Sequence, residues 1–400
     1  MKKRSLYLII FLCLLFTMVF KGLGLNPDNV QVVEDNTDII EEEPDTTEIV
    51  EDIIVEPRLT NIDILAVGDI MFHIPQIKSA NIGGDEYDFS PVFKHVRKYI
   101  QDADLALGNY ETVTVGDRAY SGFPRFNSPL ETIKGLEDAG FDILSTANNH
   151  SLDQGKTGII STIDAIKGQG LKHTGTNKDK DVEPLIVDVK GIKIGVLSYT
   201  YGLNGLDSLL TAEELSYMIN LIDEEKIQKE IDLLKNRDVD IILSYIHWGH
   251  EYHHQPSDDQ INLGRNLVEW GVNIVLGSHP HVVQKSEVIE FNGKDHLIIY
   301  SMGNFLSNQS EITMGNSYTE DGVMVKINIE KDLDLEETVI KEIEYIPTWV
   351  HRYNEGGKHH YKILPSEDAL MGNLDLTLNS SIMKRIEKSY NDVKNVYGDH

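Results

Sequence analysis

Short apolar runs in this chain end repeatedly on a side chain that can hold a cation. Asn61-Ile-Asp-Ile-Leu-Ala-Val-Gly68 delivers Asp69, with His73 four positions on. Ala103-Asp-Leu-Ala-Leu-Gly108 delivers Asn109-Tyr-Glu111. Phe141-Asp-Ile-Leu runs into Ser145-Thr-Ala-Asn-Asn-His-Ser-Leu-Asp-Gln-Gly155, and Asp240-Ile-Ile-Leu-Ser-Tyr-Ile246 ends in His247-Trp-Gly-His-Glu251. Val272-Asn-Ile-Val-Leu-Gly277 leads to Ser278-His-Pro-His281. Runs of this length and apolarity read as buried strands. Helical spacing between them predicts Pro91–Ile100 (Ser90 as cap, Pro91 first), Leu130–Ala139 stopping at Gly140, a helix near 155–168, and Ser257–Trp270 stopping at Gly271. Strand followed by helix, repeated, predicts parallel sheets, and such sheets place ligand groups at the carboxyl ends of their strands.

The pattern changes after residue 183. Glu183–Lys190 and Ile192–Tyr199 flank Gly191 like a hairpin, and Val282–Phe291 and His296–Tyr300 do the same around Asn292-Gly293. Residues 211–236 read as helical, and strands are expected at 171–177, 322–330 and 337–346. The mixture predicts an α/β fold of two facing sheets with helices outside. Candidate site residues come from both halves, so 59–350 reads as one domain. Residues 351–400 read as an extension with a terminal helix.

The amino terminus places that domain. Met1-Lys-Lys-Arg4 precedes an uncharged run from Ser5 to Phe20, and no small-x-small cleavage site follows it. Residues 1–25 therefore read as a membrane anchor with its basic end in the cytoplasm, or as a signal segment if cleaved. The first reading gives a single-pass membrane protein with an extracellular carboxyl-terminal domain; the second gives a secreted one. Residues 26–58 hold twelve acidic residues and one base, Arg58, and read as an extended acidic linker. Net charge is −29, and −22 of it belongs to residues 59–400. Nucleic acid is thereby disfavoured as a partner, because binding phosphates requires a cationic footprint. The single cysteine, Cys13, lies in the apolar run, so the rest has neither a disulfide nor a thiol nucleophile.

Each strand-end residue has an ordinary explanation. Asp69 can cap a helix, Asn148 and Asn149 can cap the helix after them, Glu111 can be a surface group, and His247 can be a core histidine beside Trp248. In a His-x-His pair on extended chain, both rings project to one side. What argues for a site is that each residue follows an apolar strand immediately. Mixed Asp/Glu, Asn and His donors suit manganese, iron or zinc. In two-metal hydrolases such ions, about 3.5–4 Å apart, share a ligand and activate water.

The set Gly68-Asp69, Gly108-Asn-Tyr-Glu111, Ala147-Asn-Asn-His-Ser-Leu-Asp153, His247-Trp-Gly-His-Glu-Tyr252, Gly277-Ser-His-Pro-His281 and Tyr300-Ser-Met-Gly-Asn-Phe305 resembles the CapA family of poly-γ-glutamate capsule synthesis proteins. The resemblance runs in order over most of residues 61–350. That family is similar to calcineurin-like metallophosphoesterases, which implies a four-layer αββα sandwich and a site for two divalent ions. It implies metal ligation by Asp69, Asn149, His247, His279 and His281, and catalysis by His150. The bridging position falls to Asn109 or Glu111, with Glu111 preferred. Departures from the phosphoesterase pattern are the spacing of His73, the shortened second motif, and Ser151 where an acid follows the histidine. Arg125, Trp248, Glu251, Tyr252 and Asn304 are the candidates for lining a substrate pocket.

Three functions follow as alternatives. The first is a metal-dependent hydrolase or transferase acting on an anionic envelope polymer such as poly-γ-glutamate. The second is a non-catalytic polymer-binding or export component, partnered with the membrane subunits of a capsule synthase. The third is a secreted phosphoesterase unrelated to capsule. The acidic composition requires metal ions or local Arg and Lys residues wherever an anionic polymer binds.

Overall fold

Residues 57–180 and 182–398 are described by the computed structural model; the expected membrane segment and all but the last two residues of the expected linker lie outside them. The chain begins with β1 (Leu59–Ile70), exposed at its start and buried from Ile64 onward. It continues through α1 (Ile74–Ala80), the small ribbon β2 (Asn81–Gly83) and β3 (Glu86–Tyr87), α2 (Ser90–Phe93), α3 (Arg97–Asp102) and β4 (Leu105–Tyr110). Next come α4 (Leu130–Ala139), β5 (Ile143–Ser145), α5 (Gly155–Gly168) and β6 (Lys172–Thr174). The second half holds β7 (Leu185–Val189), β8 (Ile192–Thr200), α6 (Ala212–Met218), α7 (Glu224–Lys235), β9 (Ile241–His247), α8 (Asp258–Trp270), β10 (Ile274–Ser278), β11 (Val283–Phe291) and β12 (Lys294–Met302). It closes with β13 (Asn304–Leu306), α9 (Glu311–Met314), β14 (Asp321–Asp332), β15 (Glu337–Glu355), β16 (Lys358–Pro365), α10 (Ser366–Met371) and α11 (Ser380–Tyr397).

The first sheet runs β16-β15-β14-β1-β4-β5-β6 with β13 also on β1, and the second runs β11-β12-β10-β9-β8-β7. Strands β1, β4, β5 and β6 are parallel, as are β8, β9, β10 and β12. Ile64, Ala66, Leu107, Leu243, Leu276 and Val325 belong to the core between the sheets. Helices α1 to α5 cover the outer face of the first sheet through Ile77, Phe93, Ile100, Ile133, Leu136 and Ile166. Helices α7 and α8 cover the second through Ile227, Ile231, Leu263 and Leu267. Each such buried side chain contributes about 1.5–3 kcal/mol, so the stacking of layers dominates the fold. The four-layer αββα sandwich is the arrangement expected.

Local signals explain the helix boundaries. Gly140 and Gly271 end α4 and α8 at φ 108°, in the left-handed region glycine favours. Ser257 Oγ accepts from Gln260 N–H while Gln260 Oε1 accepts from Ser257 N–H, a reciprocal capping box. Two expected helices are broken. Val96 N–H bonds Phe93 O, a tight i to i−3 turn that separates α2 from α3. Between α6 and α7 the backbone bonds elsewhere: Asn220 N–H to Gly175 O, and Thr200 N–H to Asn220 O.

The boundary expected at residue 350 falls inside β15. Residues 351–355 continue that strand, β16 pairs along it, and α11 carries Val393 and Tyr397 into the core between the sheets. The carboxyl-terminal segment is therefore integral to the sandwich. Among the described residues, no helix is long and apolar enough to cross a membrane.

Candidate metal centre

Every candidate ligand lies at or just beyond the carboxyl end of a parallel strand. β1 bends away from β14 after Val67 and takes β13 as its new neighbour, with Asp69 opposite Asn304. Gly68 permits this: a Cβ there would stand 1.9 Å from the carbonyl oxygen of Gly303. β4 and β5 end before Glu111 and the Asn149-His150 loop, while β9 ends on His247 and β10 leads to His279 and His281. The loop at 146–153 is held from within. Ser151 Oγ donates to Thr146 O at 2.6 Å, Asn148 Nδ2 donates to Tyr110 O at 2.9 Å, and His150 N–H donates to Asn148 Oδ1 at 3.1 Å. The asparagines therefore shape the loop and do not cap α5, whose N-cap is Gln154.

Asp69, Glu111, Asn149, His247, His279 and His281 converge, and all are buried. Glu111 is central: its Oε1 lies 3.7 Å from Nε2 of both His247 and His281. Two groups of donors share it, Glu111 with His247 and His279, and Asp69 with Glu111 and His281. Donor atoms within each group lie within 4.8 Å of one another. Asn149 Oδ1 adds an oxygen 3.1 Å from His247 Nε2. Asp69 Oδ1 accepts from Asn109 Nδ2 at 2.8 Å, and its Oδ2 accepts from His279 N–H at 3.2 Å. His281 Nδ1 lies 3.1 Å from both Asp69 Oδ2 and Asn304 Oδ1, which fixes its proton on Nδ1 and turns the Nε2 lone pair toward Glu111. His279 and His281 sit at φ 98° and 57°, so the His-x-His pair is not the extended segment the spacing suggested. Left-handed backbone at two non-glycine residues costs on the order of 1–3 kcal/mol each, held by the surrounding structure.

Charge within the cluster is unevenly held. Burial, and then the Asp69 charge, push the Glu111 carboxyl well above its ordinary range. Burial also acts against the Asp69 carboxylate, but the hydrogen bond and charge of His281 outweigh it and the net shift is downward. The same pairing carries His281 above its ordinary value against the effect of burial. Burial and neighbouring imidazoles hold His247 well below its ordinary value and bring His279 to about 3. Both Glu111 carboxylate oxygens and His279 Nδ1 are buried without a hydrogen-bond partner. Such groups are costly unless something satisfies them, and a divalent cation would do so. The oxygen and imidazole donors, with no sulfur, fit a divalent metal.

His150 lies beside this cluster, its Nδ1 2.8 Å from Asp153 Oδ2. Asp153 is also held by Phe126 N–H at 2.7 Å, and the Phe126 ring packs edge-on against His150. Asp153 supplies the acidic partner that seemed absent at position 151; its spacing on the loop was visible, but not its direction. A cavity of about 210 Å³ is lined by His73, Phe123, His150, Glu251, Tyr252, His281 and Gln309 among others.

His73, whose spacing departs from the phosphoesterase pattern, lies outside the donor groups; its Nδ1 is 3.3 Å from Asn308 N–H, and burial lowers it to about 4. Several pocket assignments change. Trp248 is not a substrate contact but a core residue, stacked on Tyr300 and donating to Tyr300 O at 2.8 Å. Asn304 is fully buried and orients His281, so it cannot touch substrate. Arg125 is exposed on the Phe123 loop and does not line the cavity. Tyr252 does line it, its hydroxyl accepting from Gln309 Nε2 at 3.3 Å. Glu251 lines it too and forms a third donor group with His279 and His281, which makes it a candidate ligand as well. Tyr201, not anticipated, packs its ring 4.5 Å from that of His279.

A bacterial capsule synthesis protein family, PGA_cap, matches residues 63–309. The chain is 32% identical over 275 residues to "Capsule biosynthesis protein CapA" of Bacillus anthracis, covering 66% of this chain and 62% of that protein. It is 28% identical over 281 residues to "PGA biosynthesis protein CapA" of Bacillus subtilis, covering 66% and 67%. The alignment thus spans less than two thirds of the B. anthracis protein. Among solved structures, calcineurin-like phosphoesterase YfkN from Bacillus subtilis aligns over 84% of this chain and 99% of that one, at 13% identity and a TM-score of 0.43. The matched stretch contains every residue of the candidate centre, and the chain belongs to the family of bacterial capsule synthesis proteins.

Proposed function

We propose that the protein is a metal-dependent hydrolase or transferase acting on an anionic envelope polymer of the poly-γ-glutamate type. In this reading it is attached to the outer face of the cell membrane through residues 1–25 and works beside membrane subunits of a capsule synthase. The supporting observation is the pairing of His150 with Asp153 beside a buried ligand set centred on Glu111. A module that only bound polymer would have no need of a buried, oriented imidazole there. The shortened second motif, a departure from the phosphoesterase pattern, is the segment that delivers Glu111.

Glu111 would be shared by two ions, one with His247, His279 and Asn149, the other with Asp69 and His281. Bound divalent ions of manganese, iron or zinc type supply Lewis acidity and lower the pKa of water. The chain's own residues do the rest. Asp153 fixes the His150 ring, so that its Nε2 can give a proton to a leaving group or accept one from a nucleophile. Asn304 and Asp69 hold His281 in one tautomer, and Ser278 Oγ and Asn109 Nδ2, 2.9 and 3.2 Å from His247 Nδ1, fix the orientation of the His247 ring. The bond at issue is the γ-amide of a glutamate chain, with a phosphodiester as comparison.

The test is metal analysis of the purified protein with turnover on γ-linked glutamate oligomers and on a phosphodiester. His150→Ala should keep its metal and lose roughly 10²–10⁴-fold in rate. A metal-loaded wild type that cleaves or transfers neither substrate would leave the binding and export role in its place.

A further inference from the structure

A second cavity, of about 430 Å³, adjoins the one at the metal centre. Asn308 and Gln309 line both, so they form a shared wall. Each is fastened. Tyr361 Oη donates to Asn308 Oδ1 at 2.6 Å, and Asn304 Nδ2 donates to Gln309 Oε1 at 3.1 Å. The second cavity is lined by three cations, Arg352, Arg385 and Lys388, against two carboxylates, Glu311 and Glu320. Arg385 and Lys388 are balanced by carboxylates of the fold, so in a chain of net charge −29 what sets this cleft apart is Arg352.

The three cations are differently engaged. Arg385 is tied into the fold, its Nε donating to Glu320 Oε2 at 3.1 Å and its Nη2 to Asp321 Oδ1 at 2.8 Å. Lys388 pairs with Asp392 at 2.5 Å. Arg352 has no carboxylate partner among the described residues; its Nη2 donates to His359 Nε2 at 3.0 Å and its Nη1 has no partner. A guanidinium without a counter-charge in a cleft is the group a carboxylate binds best, through charge-assisted and often bidentate hydrogen bonds. Trp349 and Ile382 line the same cleft and offer apolar surface to methylene groups.

We propose that Arg352, with Arg385 and Lys388 beside it, forms a carboxylate subsite. It would hold an anionic side chain of the polymer while a neighbouring unit lies at the metal centre. This rests on the polymer reading above and adds to it where the chain of carboxylates is gripped. A γ-linked glutamate chain carries both carboxylates and methylenes, and the cleft offers both guanidinium and apolar wall.

The test uses the full-length, metal-loaded protein and two fluorescent probes, a short γ-linked glutamate oligomer and its uncharged γ-linked glutamine counterpart. Arg352→Gln should weaken binding of the glutamate oligomer roughly tenfold, with metal content unchanged. Arg352→Lys should fall between, and the glutamine oligomer should bind weakly to all. Wild-type affinity for the glutamate oligomer in Arg352→Gln overturns the subsite and leaves the polymer reading standing. Should Arg352→Gln fail to fold, Lys388→Gln decides, and unchanged affinity there overturns the subsite. A wild type that neither binds nor turns over glutamate oligomers overturns both.

Discussion

Metal loading should displace protons, and the cluster fixes how many. In the metal-free fold burial and the Asp69 charge raise the Glu111 carboxyl, so it holds its proton to higher pH than a free carboxyl does. His281 is also raised and is protonated below its elevated value. Asp69 is lowered and already ionised, while His247 and His279 are lowered and already neutral. Where both raised groups still hold their protons, filling the centre therefore expels about two, one from Glu111 and one from His281. Each costs roughly tenfold in affinity per pH unit below its pKa, so affinity should rise roughly a hundredfold per unit in that range. The slope falls to about one proton once pH passes the lower of the two raised values. Titration calorimetry in buffers of different ionisation enthalpy reads this number directly. A slope near zero would show that the metal does not meet Glu111 and His281. A slope of three or four would show that burial does not keep His247 and His279 neutral.

The same signs predict that chelation destabilises the fold more at pH 8 than at pH 6, because a raised carboxyl contributes stability that is lost as pH rises through its folded value; thermal melts with and without chelator check this. Asn304→Ala should lower metal affinity roughly 10–100-fold with little change in unfolding, since it removes one of two acceptors that orient His281. Asp153→Asn should lower turnover while sparing metal content, and a normal rate would show that His150 needs no orienting partner. Gly68→Ala should cost more than about 3 kcal/mol in denaturant unfolding, because its Cβ would overlap the Gly303 carbonyl. A chain ending at residue 350 should fail to fold, as it lacks β16 and the part of the inter-sheet core that Val393 and Tyr397 supply; a soluble, cooperatively melting product would contradict this.

What could be read from the sequence was what local chemistry determines. Leu130–Ala139 with Gly140, and Ser257–Trp270 with Gly271, carry their caps and apolar spacing within a few residues, and both helices form at those limits. The strand ends were legible because a buried strand must finish at a loop. Directions of side chains were not. Asn109 is the penultimate residue of strand β4 and Glu111 lies just beyond it, and only the register of β4 on β1 sets Asn109 against Asp69. His279 and His281 converge through left-handed backbone that a Ser-His-Pro-His string does not announce. Helix α11 shows an apolar stripe in sequence, but nothing in the stripe says that it fills the space between two sheets. The split at 219–223 was also hidden, since partners twenty to forty-five residues away took its backbone hydrogen bonds.

Asp69, Glu111 and Asn149 are carried by the first sheet, while His247, His279 and His281 are carried by the second. The space between those sheets is filled by apolar side chains, which resist separation but guide sliding only weakly. Ions held from both sides would act as rivets, locking the alignment of one sheet to the other at a single end. Loading should therefore slow hydrogen exchange together at the carboxyl ends of β1, β4, β9 and β10, and leave the opposite end of the sandwich unaffected. Any force that shears the two halves, including tension on a polymer gripped at one edge, would be felt first as a change in how tightly the metal is held.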